Sequence, residues 1–313
     1  MTTRPWFDGF EATRHDVGGV QIFARVGGRR DGPPVLLLHG FPQTHAMWHR
    51  VAQRLAPHFS LVLPDLRGYG DSSKPPGDAD HANYSKRTMA QDMAALMTQL
   101  GHERFAVVGH DRGGRVAHRL ALDHAARVTA LSVLDIAPTL DMYEATDMAF
   151  ASAYYHWFYL IQPAPLPERM IAGAGGDGRF FQHGCLGGWG AGGLGHIEPA
   201  ALAEYERCFC TPDAIHSACE DYRAAAGIDL EHDRASRAAG QRIACDMQVL
   251  WAGKGVVQRM FKPLDLWRAQ CAGTVTGRAL PTGHFLPEEL PDEIATALID
   301  MLAARSADAA PAR

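Results

Sequence analysis

One stretch, residues 105–122, constrains the fold of this chain more than any other. It reads as a short apolar strand, a tight turn, and an amphipathic helix that we expect to begin at about Gly114. Its centre, residues 109–113, has the form G-x-D-x-G, with Asp111 at the apex of a strand-to-helix turn. Such an apex needs neighbours without Cβ atoms, and it lies at a helix N-terminus that favours an ionised carboxylate. Asp111 is therefore the candidate nucleophile, although a glycine-rich loop alone would give the same pattern.

Apolar runs without alternation occur before and after this turn, as expected for strands buried on both faces of a parallel sheet. We predict strands at 35–39, 60–65, 128–134, 247–252 and 273–280, a hairpin at 10–17 and 20–26, and helices at 84–100 and 290–304. Strands that alternate with helices predict an α/β fold with a mostly parallel, doubly wound sheet.

The pattern changes between residues 139 and 245, which are rich in aromatic residues, Met, Gly and Pro. We expect helices at 149–161, 199–209 and 213–225 there, and loops joining short helices in the glycine-rich segment 173–195. The predicted organisation is a core from 1 to 138, an inserted helical cap from 139 to 245, a second core part from 246 to 304, and a disordered tail from 305 to 313.

Composition excludes several classes of function. The chain has 313 residues, a formal net charge of −5 and no basic run, so we predict no nucleic-acid partner. No segment reads as a signal peptide or membrane span, which predicts a cytoplasmic protein without a membrane partner. Six cysteines form no C-x-x-C pair and sixteen histidines form no H-E-x-x-H motif, so we predict no metal and no cofactor.

A candidate general base and its orienting acid follow other predicted strands. His284 comes after the last core strand, where α/β hydrolases carry their base. The acid of such a triad can follow either of two strands, and residues 253–260 contain no Asp or Glu. Asp135, directly after the strand at 128–134, is therefore the acid by elimination. The backbone N–H groups of Phe41 and Arg112 are the candidates for an oxyanion hole.

Two arginines follow the candidate nucleophile. Arg112 is its neighbour and Arg115 lies one helical turn on, which suggests bidentate binding of an anionic substrate. The alternative is that they only pair with Asp111 or with a surface acid. Displacement at a carbon beside a carboxylate would need hydrogen-bond donors for the leaving group, and His156, Trp157 and Tyr222 of the cap are the candidates.

These residues lie in stretches that resemble the fluoroacetate (haloacetate) dehalogenases of the α/β-hydrolase superfamily. The matching stretches span nearly the whole chain: 39–50, 109–115, 134–139, 155–157, 162–168, 219–224, 263–267 and 283–289. The resemblance implies that Asp111 is the nucleophile, that Asp135 and His284 complete the triad, and that the substrate is a small anionic haloacid. It implies carboxylate binding by Arg112 and Arg115, and halide binding by His156, Trp157 and Tyr222.

The resemblance also implies a homodimer, and it implies that Trp189 lines the substrate tunnel. Residues 173–195 depart from the family pattern in their glycine content, which bears on the shape of that tunnel and on halide preference. Two alternatives remain open from the sequence. One is an epoxide hydrolase that uses the same Asp111 with Tyr154 or Tyr155 as the acid; the other is a non-catalytic binding protein for a small ligand.

Overall fold

One mixed β-sheet forms the centre of the part of the chain described by this computed structural model, which comprises residues 5–173, 176–190 and 192–308. The strands are β1 Phe10–Asp16, β2 Gln21–Gly28, β3 Pro34–Leu38, β4 Ser60–Pro64, β5 Phe105–His110, β6 Val128–Leu134, β7 Met247–Ala252 and β8 Val275–Leu280. Within these described ranges the eight strands pair in the order β1-β2-β4-β3-β5-β6-β7-β8. β2 pairs antiparallel with β1 and β4, and the other pairs are parallel. The prediction of a mostly parallel α/β sheet is confirmed.

Helices cover both faces of this sheet. In the core they are α1 His49–Leu55, α2 Lys86–Gln99 and α3 Asp111–Asp123 before the insertion, and α12 Val256–Met260, α13 Pro263–Gln270, α14 Leu286–Glu289 and α15 Pro291–Asp308 after it. Successive residues of β3 enter different cores: Leu36 packs with the side chains of α2 and α3, whereas Val35 and Leu37 pack with those of α1 and α15. Burial on both faces explains why the parallel strands are apolar without alternation.

The residues described between β6 and β7 contribute helices and no strand to the sheet. These helices are α4 Thr139–Glu144, α5 Met148–Ala153, α6 Tyr155–Tyr159, α7 Leu166–Gly173, α8 Arg179–Trp189, α9 Pro199–Phe209, α10 Pro212–Ala226 and α11 Ile228–Ala238. They include the segment that the sequence predicts to be a helical cap. None of the helices in the described ranges is both long and apolar enough to cross a membrane.

Several elements differ from the predicted ones, in the cap and at the C-terminal end most of all. The helix expected at 149–161 is divided into α5 and α6 at Tyr154 (φ −112°, ψ 43°). The segment expected to contain short helices joined by loops includes the 11-residue helix α8, in which Gln182, Cys185 and Leu186 lie buried at helical spacing. This packing outweighs the low helix propensity of its glycines. α15 continues to Asp308, four residues into the predicted tail, and the rest of that tail, 309–313, lies outside the described residues.

The turn between β5 and α3 brings the backbone of three elements into close approach. A Cβ atom on Gly109 would lie 2.5 Å from the Gly113 carbonyl oxygen, and one on Gly113 would lie 2.6 Å from the Leu38 carbonyl carbon. Asp111 adopts the left-handed φ of +46°. The predicted start of the helix at about Gly114 is wrong, because α3 begins at Asp111 itself and the glycines form its first turn.

We predict that Gly113→Ala lowers the free energy of unfolding by about 1–3 kcal/mol, because its Cβ would overlap backbone atoms of β3. Gly184→Ala is the matched control, since Gly184 is exposed within α8 and no neighbour among the described residues lies within 4 Å of its Cβ position. The control should be neutral or stabilising, as Ala is the better helix former by about 1 kcal/mol. Urea unfolding followed by circular dichroism measures both variants, and equal stabilities would contradict the close approach.

Candidate active site

Asp111 is a buried carboxylate held at the N-terminus of α3. The backbone N–H of Phe41, in the loop after β3, donates to its Oδ1 at 3.0 Å. Arg112 is the next residue of α3, where helix geometry provides no intrahelical acceptor for the backbone N–H. Burial opposes ionisation of Asp111, but the charges of His284, Arg115 and Arg112 outweigh it and lower its pKa to about 2. The carboxylate is therefore ionised at neutral pH and accepts a hydrogen bond from the loop after β3.

His284 and Asp135 lie beside this carboxylate, each after its own strand. His284 Nδ1 is 2.7 Å from Asp135 Oδ2, and its Nε2 is 4.0 Å from Asp111 Oδ2. The backbone N–H of Ala252 donates to the other oxygen of Asp135 at 2.9 Å. Burial alone would lower the pKa of the imidazole, but the hydrogen bond and charge of Asp135, together with Asp111, raise it above its ordinary value. The structure thus brings together the three residues predicted to form a triad.

The loop that carries His284 is held by residues to which sequence reasoning gave no such role. The Glu289 carboxylate accepts the backbone N–H of Gly283 at 2.8 Å and that of Phe285 at 3.2 Å. His110 Nε2 donates to the carbonyl oxygen of His284 at 2.8 Å. The backbone N–H of His284 donates to the Trp189 carbonyl at 2.9 Å. The base is therefore fixed through its own backbone, and the only sequence signal for this was that His110 and Glu289 lie within the motifs.

Arg112 is buried and already paired with an acid. Its Nε and Nη2 donate to the two oxygens of Asp221 at 2.8 and 2.7 Å, and Nη2 also donates to the Asp221 carbonyl at 2.8 Å. Its Nη1 is buried and has no hydrogen-bond partner among the described residues. The expected bidentate contact with a substrate is therefore taken by Asp221, and one guanidinium nitrogen remains. Arg112 therefore does pair with an acid, but with the buried Asp221 and not with Asp111 or a surface acid, which were the partners considered from the sequence.

Arg115 has a different set of partners. Its Nη1 donates to the Thr139 hydroxyl at 2.9 Å and to the Ala137 carbonyl at 3.3 Å. Its Nε is buried without a hydrogen-bond partner in the described part of the chain. Burial lowers the pKa of Arg115, and the negative charge of Asp111 opposes this shift. No acid is recorded as an ion-pair partner of Arg115 within those residues. Its charge is therefore available to an anion beside Asp111.

The three cap residues expected to donate to a halide meet over the two arginines. The Arg112 guanidinium carbon lies 4.2 Å from the centre of the Tyr222 ring, and that of Arg115 lies 4.7 Å from the Trp157 ring. The His156 and Tyr222 rings are 5.6 Å apart. Burial lowers the pKa of His156 to about 3 and raises that of Tyr222 far above its ordinary value, so both are neutral. The Tyr222 hydroxyl and His156 Nδ1 have no hydrogen-bond partner among the residues described.

A cavity of about 260 Å³ lies against the imidazole side of the triad. Trp189, expected to line a tunnel, lines this cavity with His284, Asp135 and Tyr154. The Trp189 ring is also 4.2 Å from that of His156, so it lies between the cavity and the three cap residues. Of the two tyrosines considered as acids of an epoxide hydrolase, Tyr154 therefore lies at the site. Tyr155 instead lines a groove on the outer surface of the cap.

Comparison with known proteins identifies the family. Residues 33–172 match the family model described as "alpha/beta hydrolase fold". The chain is 48% identical to a fluoroacetate dehalogenase from Burkholderia sp, over 95% of both chains, and 30% identical to a soluble epoxide hydrolase from Corynebacterium sp. (strain C12), over 90% of this chain and 94% of the relative. The crystal structure of ALR0039 from Nostoc sp PCC 7120 superposes with a TM-score of 0.90 at 52% identity, covering 95% of this chain and 99% of that one. The chain belongs to the fluoroacetate dehalogenase family of the α/β hydrolases.

Proposed function

We propose that this protein hydrolyses haloacetates, such as fluoroacetate and chloroacetate, to glycolate and halide through an ester on Asp111. The observation that carries the proposal is the pair of buried arginines, Arg112 and Arg115, each with an unpartnered nitrogen, beside an ionised carboxylate. A neutral substrate would leave those nitrogens without an acceptor, which is costly for buried charged groups. The dehalogenase relative supports the same substrate class.

In the first step, Asp111 attacks the α-carbon of the haloacetate, the carbon–halogen bond breaks, and the halide leaves with the bonding electrons. Because Asp111 Oδ1 already accepts the Phe41 N–H at 3.0 Å, we assign the attack to Oδ2. The departing halide gains charge as it leaves, and His156, Trp157 and Tyr222 supply neutral donors to it. The product of this step is a glycolyl ester on Asp111.

In the second step, His284 takes a proton from water while the water oxygen attacks the carbonyl carbon of the ester. Asp135 orients the imidazole and stabilises its charged form, as its 2.7 Å contact and the raised pKa of His284 support. The negative charge that develops on Oδ1 faces the backbone N–H of Phe41, and the N–H of Arg112 is the second donor. Collapse of this intermediate breaks the bond to the glycolyl oxygen, which takes the proton held by His284 and leaves as glycolate. The Asp111 carboxyl group loses the remaining proton of the water to solvent and is again a carboxylate, and these steps use no cofactor.

An epoxide hydrolase is the second candidate. It is favoured by the unpartnered hydroxyl of Tyr222, which could protonate an epoxide oxygen, and by the 30% identical relative of that activity. It gives Arg112 and Arg115 no role. The parent enzyme should therefore release halide from fluoroacetate and chloroacetate, act poorly on the neutral chloroacetamide, and form little diol from styrene oxide. Halide electrodes and chromatography of the diol measure these reactions, and chloroacetamide turnover equal to that of chloroacetate would contradict the proposal.

We propose further that the protein is a cytoplasmic homodimer whose protomers meet through their caps. Among the described residues, the large hydrophobic side chains that are exposed all lie in the cap, and Met170 and Phe180 line a groove there. Exposed apolar patches of this kind are typical of protein interfaces, and a second copy of this chain is the occupant we assign. Sedimentation velocity should give a dimer for the parent and a monomer for Phe180→Glu; a monomeric parent would contradict it.

The base is needed for hydrolysis of the ester and not for the displacement. We therefore predict that His284→Asn releases about one halide per active site and then stalls, with the adduct on Asp111 visible by mass spectrometry. His183→Asn is the control, because this histidine pairs with Glu206 on the surface of the cap and should leave turnover unchanged. Sustained turnover by His284→Asn would rule out the assigned base.

The cap donors should matter most for fluoride, whose departure requires more compensation for the lost hydration than that of chloride. We predict that Tyr222→Phe or Trp157→Phe lowers kcat for fluoroacetate roughly tenfold to a hundredfold, and kcat for chloroacetate much less. Tyr159→Phe, which loses a hydroxyl bonded to the Pro167 carbonyl, is the control. Equal fractional losses for the two substrates would mean that these aromatic residues only shape the cap.

A further inference from the structure

Asp221 is a fully buried carboxylate that has no part in the two chemical steps. It lies in α10 of the cap, and all of its recorded side-chain partners lie in the core. Oδ1 accepts from Arg112 Nη2 and from the Lys86 ammonium, and Oδ2 accepts from Arg112 Nε and from the Tyr69 hydroxyl at 2.6 Å. Four donors converge on the two oxygens, which satisfies their usual acceptor capacity.

These contacts determine which part of Arg112 remains available. Nε and Nη2 form one edge of the guanidinium plane, and Asp221 takes that edge. Nη1 is the nitrogen left without a partner in the described part of the chain. The Tyr222 ring, 4.2 Å from the guanidinium carbon, packs against its face. With one edge bound and one face covered, the guanidinium cannot rotate without breaking the contacts with Asp221.

We propose that Asp221 is the positioning residue of the carboxylate-binding site: it fixes Arg112 so that only Nη1 is offered to the substrate carboxylate. Arg115 offers its Nε in the same way, because its Nη1 donates to Thr139 and Ala137 and its Nη2 to the Met142 sulfur at 3.4 Å. A single carboxylate would then bridge one nitrogen from each arginine, instead of forming the bidentate pair that the sequence suggests. This inference rests on the proposed function for the identity of the substrate, but not for the geometry of the arginines.

Lys86 and Asp229 complete the charged cluster around Asp221. The Asp221 carboxylate forms ion pairs with both the Arg112 guanidinium and the Lys86 ammonium. Its negative charge is therefore shared between two cations and does not belong to Arg112 alone. Asp229 lies on the far side of Lys86, 3.5 Å from its ammonium, and accepts its backbone N–H at 2.7 Å. Burial raises the pKa of Asp229 above its ordinary value. Within the described residues Asp229 pairs with Lys86 and forms no hydrogen bond or ion pair with Arg112.

The test compares Asp221→Asn with Asp229→Asn, two substitutions in one buried cluster of which only the first contacts Arg112. Asp221→Asn should raise KM for chloroacetate, and the inhibition constant of acetate, roughly tenfold or more, because Asn lacks one acceptor and turns a donor toward the guanidinium or the ammonium. Asp229→Asn should leave both constants within about threefold of the parent, whatever it does to stability. An unchanged acetate constant in folded Asp221→Asn would overturn the inference.

A second variant covers the case in which Asp221→Asn does not fold. Arg112→Lys keeps the charge, but its ammonium would pair with Asp221 and offer no fixed nitrogen to the substrate. Its KM for chloroacetate should therefore rise about as much as that of Arg112→Met, and a constant close to that of the parent would overturn the inference. Acetate affinity measured by calorimetry separates the two proposals, because a parent that binds acetate without hydrolysing haloacetates contradicts the activity and not the role of Asp221.

Discussion

The close backbone approach at the turn between β5 and α3 is the constraint on which the rest of this structure depends. Gly109 and Gly113 allow the first turn of α3 to pack directly against β3 and β5, which leaves Asp111 at the apex with a φ of +46°. The strained apex places the Asp111 carboxylate 3.0 Å from the Phe41 backbone nitrogen and 4.0 Å from His284 Nε2. Phe41 and His284 lie in loops that follow other strands. Because the carboxyl ends of parallel strands meet at one edge of a sheet, one tight turn is enough to assemble a site from distant parts of the chain.

Burying this many charged groups is tolerated because they form two linked and nearly balanced sets. Asp111 lies among Arg115, Arg112 and His284, and the favourable charge interactions exceed the cost of burial, which keeps its pKa at about 2. On the other side of Arg112, Asp221 is balanced by Arg112 and Lys86 together. An isolated buried charge would cost far more than either set, so removing one member affects the whole group. Arg112 Nη1 and Arg115 Nε have no partner among the described residues, and under the proposed function they bind the substrate anion.

The sequence predicted those features that depend on local pattern. Both faces of β3 are buried, as its unbroken apolar run indicated, and β6 and β7 have the predicted bounds. Because the loop after β7 contains no acid and Asp135 directly follows β6, the sequence predicted Asp135 as the orienting acid. In the structure its Oδ2 lies 2.7 Å from His284 Nδ1. For residues 173–195 the sequence predicted only short helices joined by loops, because glycines oppose helix formation locally; the stability of the 11-residue helix α8 comes from tertiary burial of Gln182, Cys185 and Leu186. Tertiary packing of this kind cannot be predicted from the composition of the segment.

The partner of Arg112 could not be predicted for a similar reason. Asp221 is 109 residues away from Arg112 in the sequence, on a helix of the cap. The spacing of Arg112 and Arg115 on α3 instead favours the prediction that both arginines bind one substrate. Position within α10 explains the outcome: Asp221 and Tyr222 are neighbours on one turn, so the same turn binds the edge of the Arg112 guanidinium and covers its face. The cap therefore cannot shift over the core without moving Arg112 Nη1 and the Tyr222 hydroxyl together. In the proposed mechanism, this single turn couples recognition of the substrate carboxylate to recognition of the leaving halide.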